Sequence, residues 1–169
     1  MNDSTALVWL SSIPALSGKS LGKLLEAFPE PGVLWDEPNL AMRVLGTKSM
    51  EALREAKSED YLDALLCALE EKDVRALTLF DDDYPDRLRA IDDAPPLLYL
   101  RGCLPEKTRA AAIVGARKCT ADGRVTAQRM ACDLAASGVA VVSGMADGID
   151  SAAHLGCLEA GGQTVAVLG

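Results

Sequence analysis

The chain has 169 residues, room for one domain or two small ones, and 49% of them are hydrophobic, which supplies real cores and argues against disorder. The formal charge of −8 looks wrong for a nucleic-acid binder but is unevenly spread: residues 1–75 carry 8 basic and 13 acidic side chains, residues 106–169 carry 6 and 6. Between 107 and 129, Lys107, Arg109, Arg117, Lys118, Arg124 and Arg129 face only Asp122, so a polyanionic partner is not excluded, because such contacts are local and screened beyond about 10 Å.

Residues 1–75 read as short helices and tight turns. Apolar spacing predicts helices over 5–10, 20–28, 40–45, 49–56 and 59–72, and Pro14, Pro29, Pro31 and Gly46 punctuate them. The second presents Leu21, Leu24, Leu25 and Phe28 on one face, and the last carries a stripe of Leu62, Leu65, Leu66 and Leu69. The pattern then turns strand-like, which places a domain boundary near residues 73–75 and gives domains 1–75 and 76–169. Strands are expected at 76–80 and 97–100, with one helical turn over 86–91 between the acidic run at 81–83 and Pro95-Pro96. From 110 onward the grammar repeats: strand 111–114, glycine loop, helix 121–137, strand 139–142, glycine loop, helix 149–160, strand 164–168. That β-loop-α-β-loop-α-β order favours parallel strands joined by helical crossovers. The chain stops one residue after the last strand, which suggests a piece of a longer protein.

The five cysteines are odd in number and include no C-x-x-C pair, and there is one histidine. Free thiols in a reducing compartment are expected, with no zinc site and no cofactor. The N-terminus MNDSTALVWL lacks a basic segment and a long apolar core, and no apolar run approaches the roughly 20 residues of a membrane span. The expectation is a cytoplasmic protein without a membrane partner.

In parallel sheets the strand-to-helix loops gather at the carboxyl edge, where backbone amides and helix N-termini meet anions. Two loops are therefore candidates. In the first, Gly115 allows close backbone approach and Arg117 offers a planar fork for phosphate; a tight turn with a solvated arginine is the alternative. In the second, Gly144 and Gly148 bracket a turn whose amides can face outward, Ser143 adds a hydroxyl at the strand end, and Asp150 is placed either for this site or to cap the following helix. His154 shares a helix face with Asp150 and reads as a packed side chain. No Ser/His/Asp set, paired-carboxylate site or P-loop lysine can be assembled, so no catalytic residue is assigned. The run IPALSGKS (13–20) has the outline of a helix-hairpin-helix turn, but Ala15 and Ser17 stand where that motif has glycines, which favours a packing role.

Four segments together resemble the DNA-processing protein A family (DprA, also called Smf): IPALSGKSLGKLLEAF (13–28), FDDDYPDRLRAIDDAPPLLYLRG (80–102), AIVGARKCTADG (112–123) and VVSGMADGIDSAAHLGCLEAGGQTVAVLG (141–169). The resemblance covers nearly the whole chain. It implies a fold of class α/β, a small all-helical SAM-like module followed by a Rossmann-type parallel sheet. It also implies single-stranded DNA binding, homodimerisation and help in loading RecA during natural transformation, without an established catalytic activity. Carried over by position, Gly115 and Arg117 match the family's G-S-R loop, and Ser143, Gly144, Gly148 and Asp150 match its second loop. Ala116 stands where serine is usual, Asp147 where a basic residue is common, and Leu155 where a basic residue is frequent. The expected phosphate-binding set is Gly115, Arg117, Lys118, Arg124, Ser143, Gly144 and Gly148. The rival is a nucleotide enzyme of the nucleoside-monophosphate phosphoribohydrolase kind, whose P-G-G-x-G-T loop does not occur here.

Overall fold

The computed structural model describes residues 1–105 and 109–169; Lys107, counted in the basic excess, lies outside the described residues. The chain divides into two compact units, Met1–Gly102 and Cys103–Gly169.

The first unit is built around α1 (Asp3–Ser11), whose residues Ala6 to Leu10 are all buried, so this helix has no solvent face to reserve. Asn2 caps it by accepting from the Thr5 amide at 2.7 Å. Around it lie α2 (Gly18–Ala27), α3 (Val33–Asp36), a 3₁₀ turn (Pro38–Arg43), α4 (Thr47–Glu55) and α5 (Glu59–Glu71). Leu21 and Leu24 of α2 are buried in this core and Leu25 and Phe28 pack against it, as the helical spacing predicts. Trp9 is fully buried, donates its indole N–H to the Ala56 carbonyl at 2.8 Å and meets Trp35 edge-on at 5.0 Å. The α5 stripe packs loosely by comparison: no residue of that helix is buried and Leu66 is 41% exposed. The 13–20 segment serves packing. Ile13 and Leu16 are buried, and Ser17 caps α2 by accepting from the Ser20 amide.

The helical unit does not stop where the strand pattern starts. Strands β1 (Arg75–Thr78) and β2 (Leu97–Leu100) pair antiparallel, Leu77 opposite Leu98, and both pack on α1. Between them α6 (Asp86–Arg89) forms the expected single turn. Asp81 ties this strand turn to α1: it accepts from Ser4 Oγ at 2.9 Å, from the Thr78 amide at 2.6 Å and from Thr78 Oγ1 at 2.8 Å. Tyr84 is buried and donates its hydroxyl to the Pro95 carbonyl, while the Arg89 guanidinium lies over its ring. The helix-to-strand switch near residue 75 is thus a change of element inside one packed unit, and the compact division falls at Gly102.

The second unit is the α/β half. Strands β3 (Ala110–Ala112), β4 (Ala140–Ser143) and β5 (Thr164–Ala166) form one parallel sheet in that order, with Ala111 opposite Val141 and Val141 opposite Thr164. Helices α7 (Ala121–Ala136) and α8 (Ile149–Glu159) link them and pack on each other and on β4. The core is made of small side chains, Ala131, Val141, Ala153 and Cys157. Close helix approach depends on Gly156, where a Cβ would run into the Gln128 carbonyl of α7. His154 is a packed residue: its Nδ1 lies 2.6 Å from Thr164 Oγ1, which itself donates to the Val141 carbonyl at 2.9 Å. All five cysteines are unpaired, and burial pushes the Cys157 thiol up against the opposing effect of a backbone hydrogen bond. Among the described residues no helix is long and apolar enough to cross a membrane.

Candidate nucleic-acid interface

The parallel register brings the loops after β3 and β4 to one edge of the sheet, beside the N-termini of α7 and α8. The seven expected residues do come together there, but they divide into two kinds.

Four of them build the edge. Ser143 is 2% exposed and donates its hydroxyl to the Ile113 carbonyl at 2.6 Å, so its proton fastens β4 to β3. The Gly115 amide donates to Asp150 Oδ1 at 3.1 Å and the Gly144 amide to Asp150 Oδ2 at 3.2 Å. Both amides therefore have an acceptor inside the protein. Gly148, at φ 93°, sits where a Cβ would strike the carbonyls of Ala116 and Arg117. A Cβ at Gly115 would lie 2.7 Å from Ile149 Cγ1. The glycines are needed for loop-on-loop contact: they bring the Arg117 loop onto the start of α8.

That contact decides what the α8 N-terminus can bind. Its first amide, Ile149 N, donates to the Ala116 carbonyl at 3.3 Å, and Asp150 stands in its first turn. The first helix amide here meets the chain's own carbonyl rather than an outside anion, and the Asp150 carboxylate places a negative charge at the positive end of the helix dipole. Asp150 does not cap α8 with its side chain, in contrast to the capping alternative; its oxygens reach back to the two loops. The second loop is closed further by Ser151, which donates from Oγ to the Ala146 carbonyl at 2.6 Å, and Met145 takes up a left-handed φ of 57° at its exposed tip.

The other three, Arg117, Lys118 and Arg124, are exposed. Among the described residues the salt bridge is Arg75 with Asp83, in the other unit, so no carboxylate pairs with these three cations. They surround the N-terminus of α7, where Thr120 caps by accepting from the Gly123 amide at 3.1 Å. The amides of Ala116, Arg117 and Lys118 have no acceptor among the described residues. A phosphate at this rim would find three side-chain cations and free amides. Two exposed carboxylates, Asp122 in the first turn of α7 and Asp147 beside Gly148, temper that field. Among the described residues, no group of three His, Cys, Asp or Glu side chains is placed to hold a metal.

The family model described as DNA recombination-mediator protein A matches residues 75–169, more than half of the chain. The chain belongs to this family. Among curated relatives it is 40% identical over 95 residues to the DNA processing protein DprA of Streptococcus pneumoniae, a match covering 56% of this chain and 33% of that protein. It is 27% identical over 168 residues to the protein Smf of Borreliella burgdorferi, covering 96% of this chain and 52% of that one. Among solved structures, the X-ray structure of DNA processing protein A from S. pneumoniae superposes with a TM-score of 0.72 at 27% identity, covering 98% of this chain and 57% of that one. The chain thus spans between about a third and a half of the length of these relatives. The family membership and the α/β fold expected from the sequence both stand.

Proposed function

We propose that this chain carries the single-stranded DNA-binding rim of a recombination mediator, with Arg117 as its principal phosphate contact and Lys118 and Arg124 beside it. One observation carries the reading: these three cations are exposed and, among the described residues, without carboxylate partners, whereas the first amide of α8 donates to the Ala116 carbonyl and the Gly115 and Gly144 amides donate to the Asp150 carboxylate. A strand of phosphates can run along such an open rim. A mononucleotide enzyme would need an enclosed cradle, so the same observation counts against the phosphoribohydrolase rival. Protection of incoming DNA during natural transformation, help in loading RecA and homodimerisation belong to the same proposal, through the family resemblance. The protein acts in it as a cytoplasmic binding protein, with no catalytic step.

Without stacking aromatics at the rim, binding is mostly electrostatic and tolerant of sequence. Three phosphate contacts to a single strand give a slope of log K against log salt near about −2. A charge-assisted phosphate contact contributes roughly 1.5–3 kcal/mol, so Arg117→Ala weakens binding of labelled poly-dT about tenfold to a hundredfold in fluorescence anisotropy and flattens the slope. Parent-like binding by that variant would refute the site, and release of free base from nucleoside monophosphates would revive the enzyme.

A further inference from the structure

We infer that Asp150 is the positioning residue of this site, a buried clamp that makes the Arg117 loop and the Gly144–Gly148 loop one rigid block and so fixes where Arg117 is presented. The inference rests on the reading of the rim as a DNA site. Asp150 is 6% exposed, and its two carboxylate oxygens are divided between two loops: Oδ1 accepts from Gly115 and Oδ2 from Gly144. Gly115 is 35 residues away in sequence, so the bond joins segments that the chain itself does not hold together. Among the described residues no lysine, arginine or histidine forms a salt bridge with this carboxylate. The two loop amides and the first turn of α8 supply its compensation.

The surroundings are shaped to keep it in place. A Cβ at Gly144 would stand 2.9 Å from Asp150 Oδ2, and one at Gly115 would meet Ile149. Arg117 follows the clamped Gly115 by two residues. The Arg117 carbonyl lies against Gly148, so backbone on both sides of the guanidinium's anchor is held. Fixing that anchor beforehand removes ordering entropy from the binding step. The clamp touches no DNA itself, because it faces loop amides at the foot of the rim.

Asparagine keeps the shape but has one acceptor oxygen, so its amide group would face one of the two loop N–H donors. The test is a double-mutant cycle on this chain, read by anisotropy with labelled poly-dT at a temperature where circular dichroism shows every variant folded. Asp150→Asn is expected to bind about tenfold more weakly, and Arg117→Ala/Asp150→Asn no more weakly than Arg117→Ala alone. Losses that simply add overturn the clamp, as does Asp150→Asn binding like the parent while Arg117→Ala is impaired. No effect of Arg117→Ala in the first place sinks the DNA site instead. Should Asp150→Asn fail to fold, hydrogen exchange on the unaltered protein decides. Saturating poly-dT then protects the Arg117 and Lys118 amides and leaves Gly115 and Gly144 unchanged, since Asp150 already accepts from both; new protection at Gly115 and Gly144 overturns the inference.

Discussion

The two units solve the problem of a core in opposite ways. In Met1–Gly102 large side chains fill the interior: Trp9, Leu7, Leu10, Leu24, Leu34 and Tyr84 are almost wholly buried. In Cys103–Gly169 the interior is alanine, valine and a cysteine, and backbone comes close to backbone at Gly148 and Gly156. Burying large apolar groups gives stability that tolerates some local adjustment. Packing backbone against backbone gives little apolar area but fixes loop positions. The proposed binding rim lies in the unit built the second way, where placement matters more than bulk.

This contrast is sharpest in what single substitutions cost. Trp9→Ala removes a fully buried ring, its hydrogen bond to Ala56 and its edge contact with Trp35. A loss of about 3–5 kcal/mol is expected for such a change. In urea unfolding, the first unit should lose most of its stability while rim binding to poly-dT persists. A retained midpoint would show that the unit's core lies elsewhere. In the second unit the comparable damage comes from adding atoms. Gly156→Val drives a side chain into the Gln128 carbonyl, and overpacking of this kind costs about 1–3 kcal/mol. A lower melting transition with the α7–α8 contact disturbed in amide spectra is expected; an unchanged melt would mean that the helices have slack.

The division of the chain can be broken in the same spirit. We propose that a piece ending at Gly102 melts cooperatively and that one ending at residue 75 does not, because the shorter piece loses the strands that pack on α1 and, with Asp81 and Thr78, the bonds to Ser4. Equal cooperativity in circular dichroism would restore the boundary at 75.

Much of this was legible in the sequence, for reasons that also mark the limit. The stripe of Leu21, Leu24, Leu25 and Phe28 and the repeated strand-loop-helix grammar follow from periodicity, which is local. The one-turn α3, with buried Leu34, is too short to carry a period. The glycines of the loops were visible, but their purpose was not: it depends on Ile149 meeting Gly115 and on Ala116 and Arg117 meeting Gly148. Ser143 reads as a phosphate donor because its hydroxyl stands at a strand end, yet its acceptor is the carbonyl of Ile113, the residue just past β3. Asp150 looked like a cap by position, and only the paired strands reveal its reach to Gly115. The charges of Arg117 and Lys118 in the loop and of Arg124 in the first turn of α7 are readable without knowledge of a partner.

The smallest expected effect is one of pH, and it again separates the units. Burial alone would raise the Asp81 carboxyl, but the Thr78 amide and hydroxyl, the Ser4 hydroxyl and the Arg75 charge outweigh it and hold the group below the ordinary carboxylate value. A folded pKa depressed in this way means that the unfolded chain binds the proton more readily. The stabilisation is therefore present above the unfolded value of about 3.9 and is lost as pH falls through the folded one. Asp81→Asn removes that proton linkage along with the charge. Its stability should vary less steeply with pH than the parent's below about pH 4. The difference should appear in the unfolding transition of the first unit and be missing from that of the second, because Ser4, Thr78 and Asp81 all belong to the first. Identical acid limbs for parent and variant would show that these hydrogen bonds do not distinguish the folded carboxylate from the unfolded one.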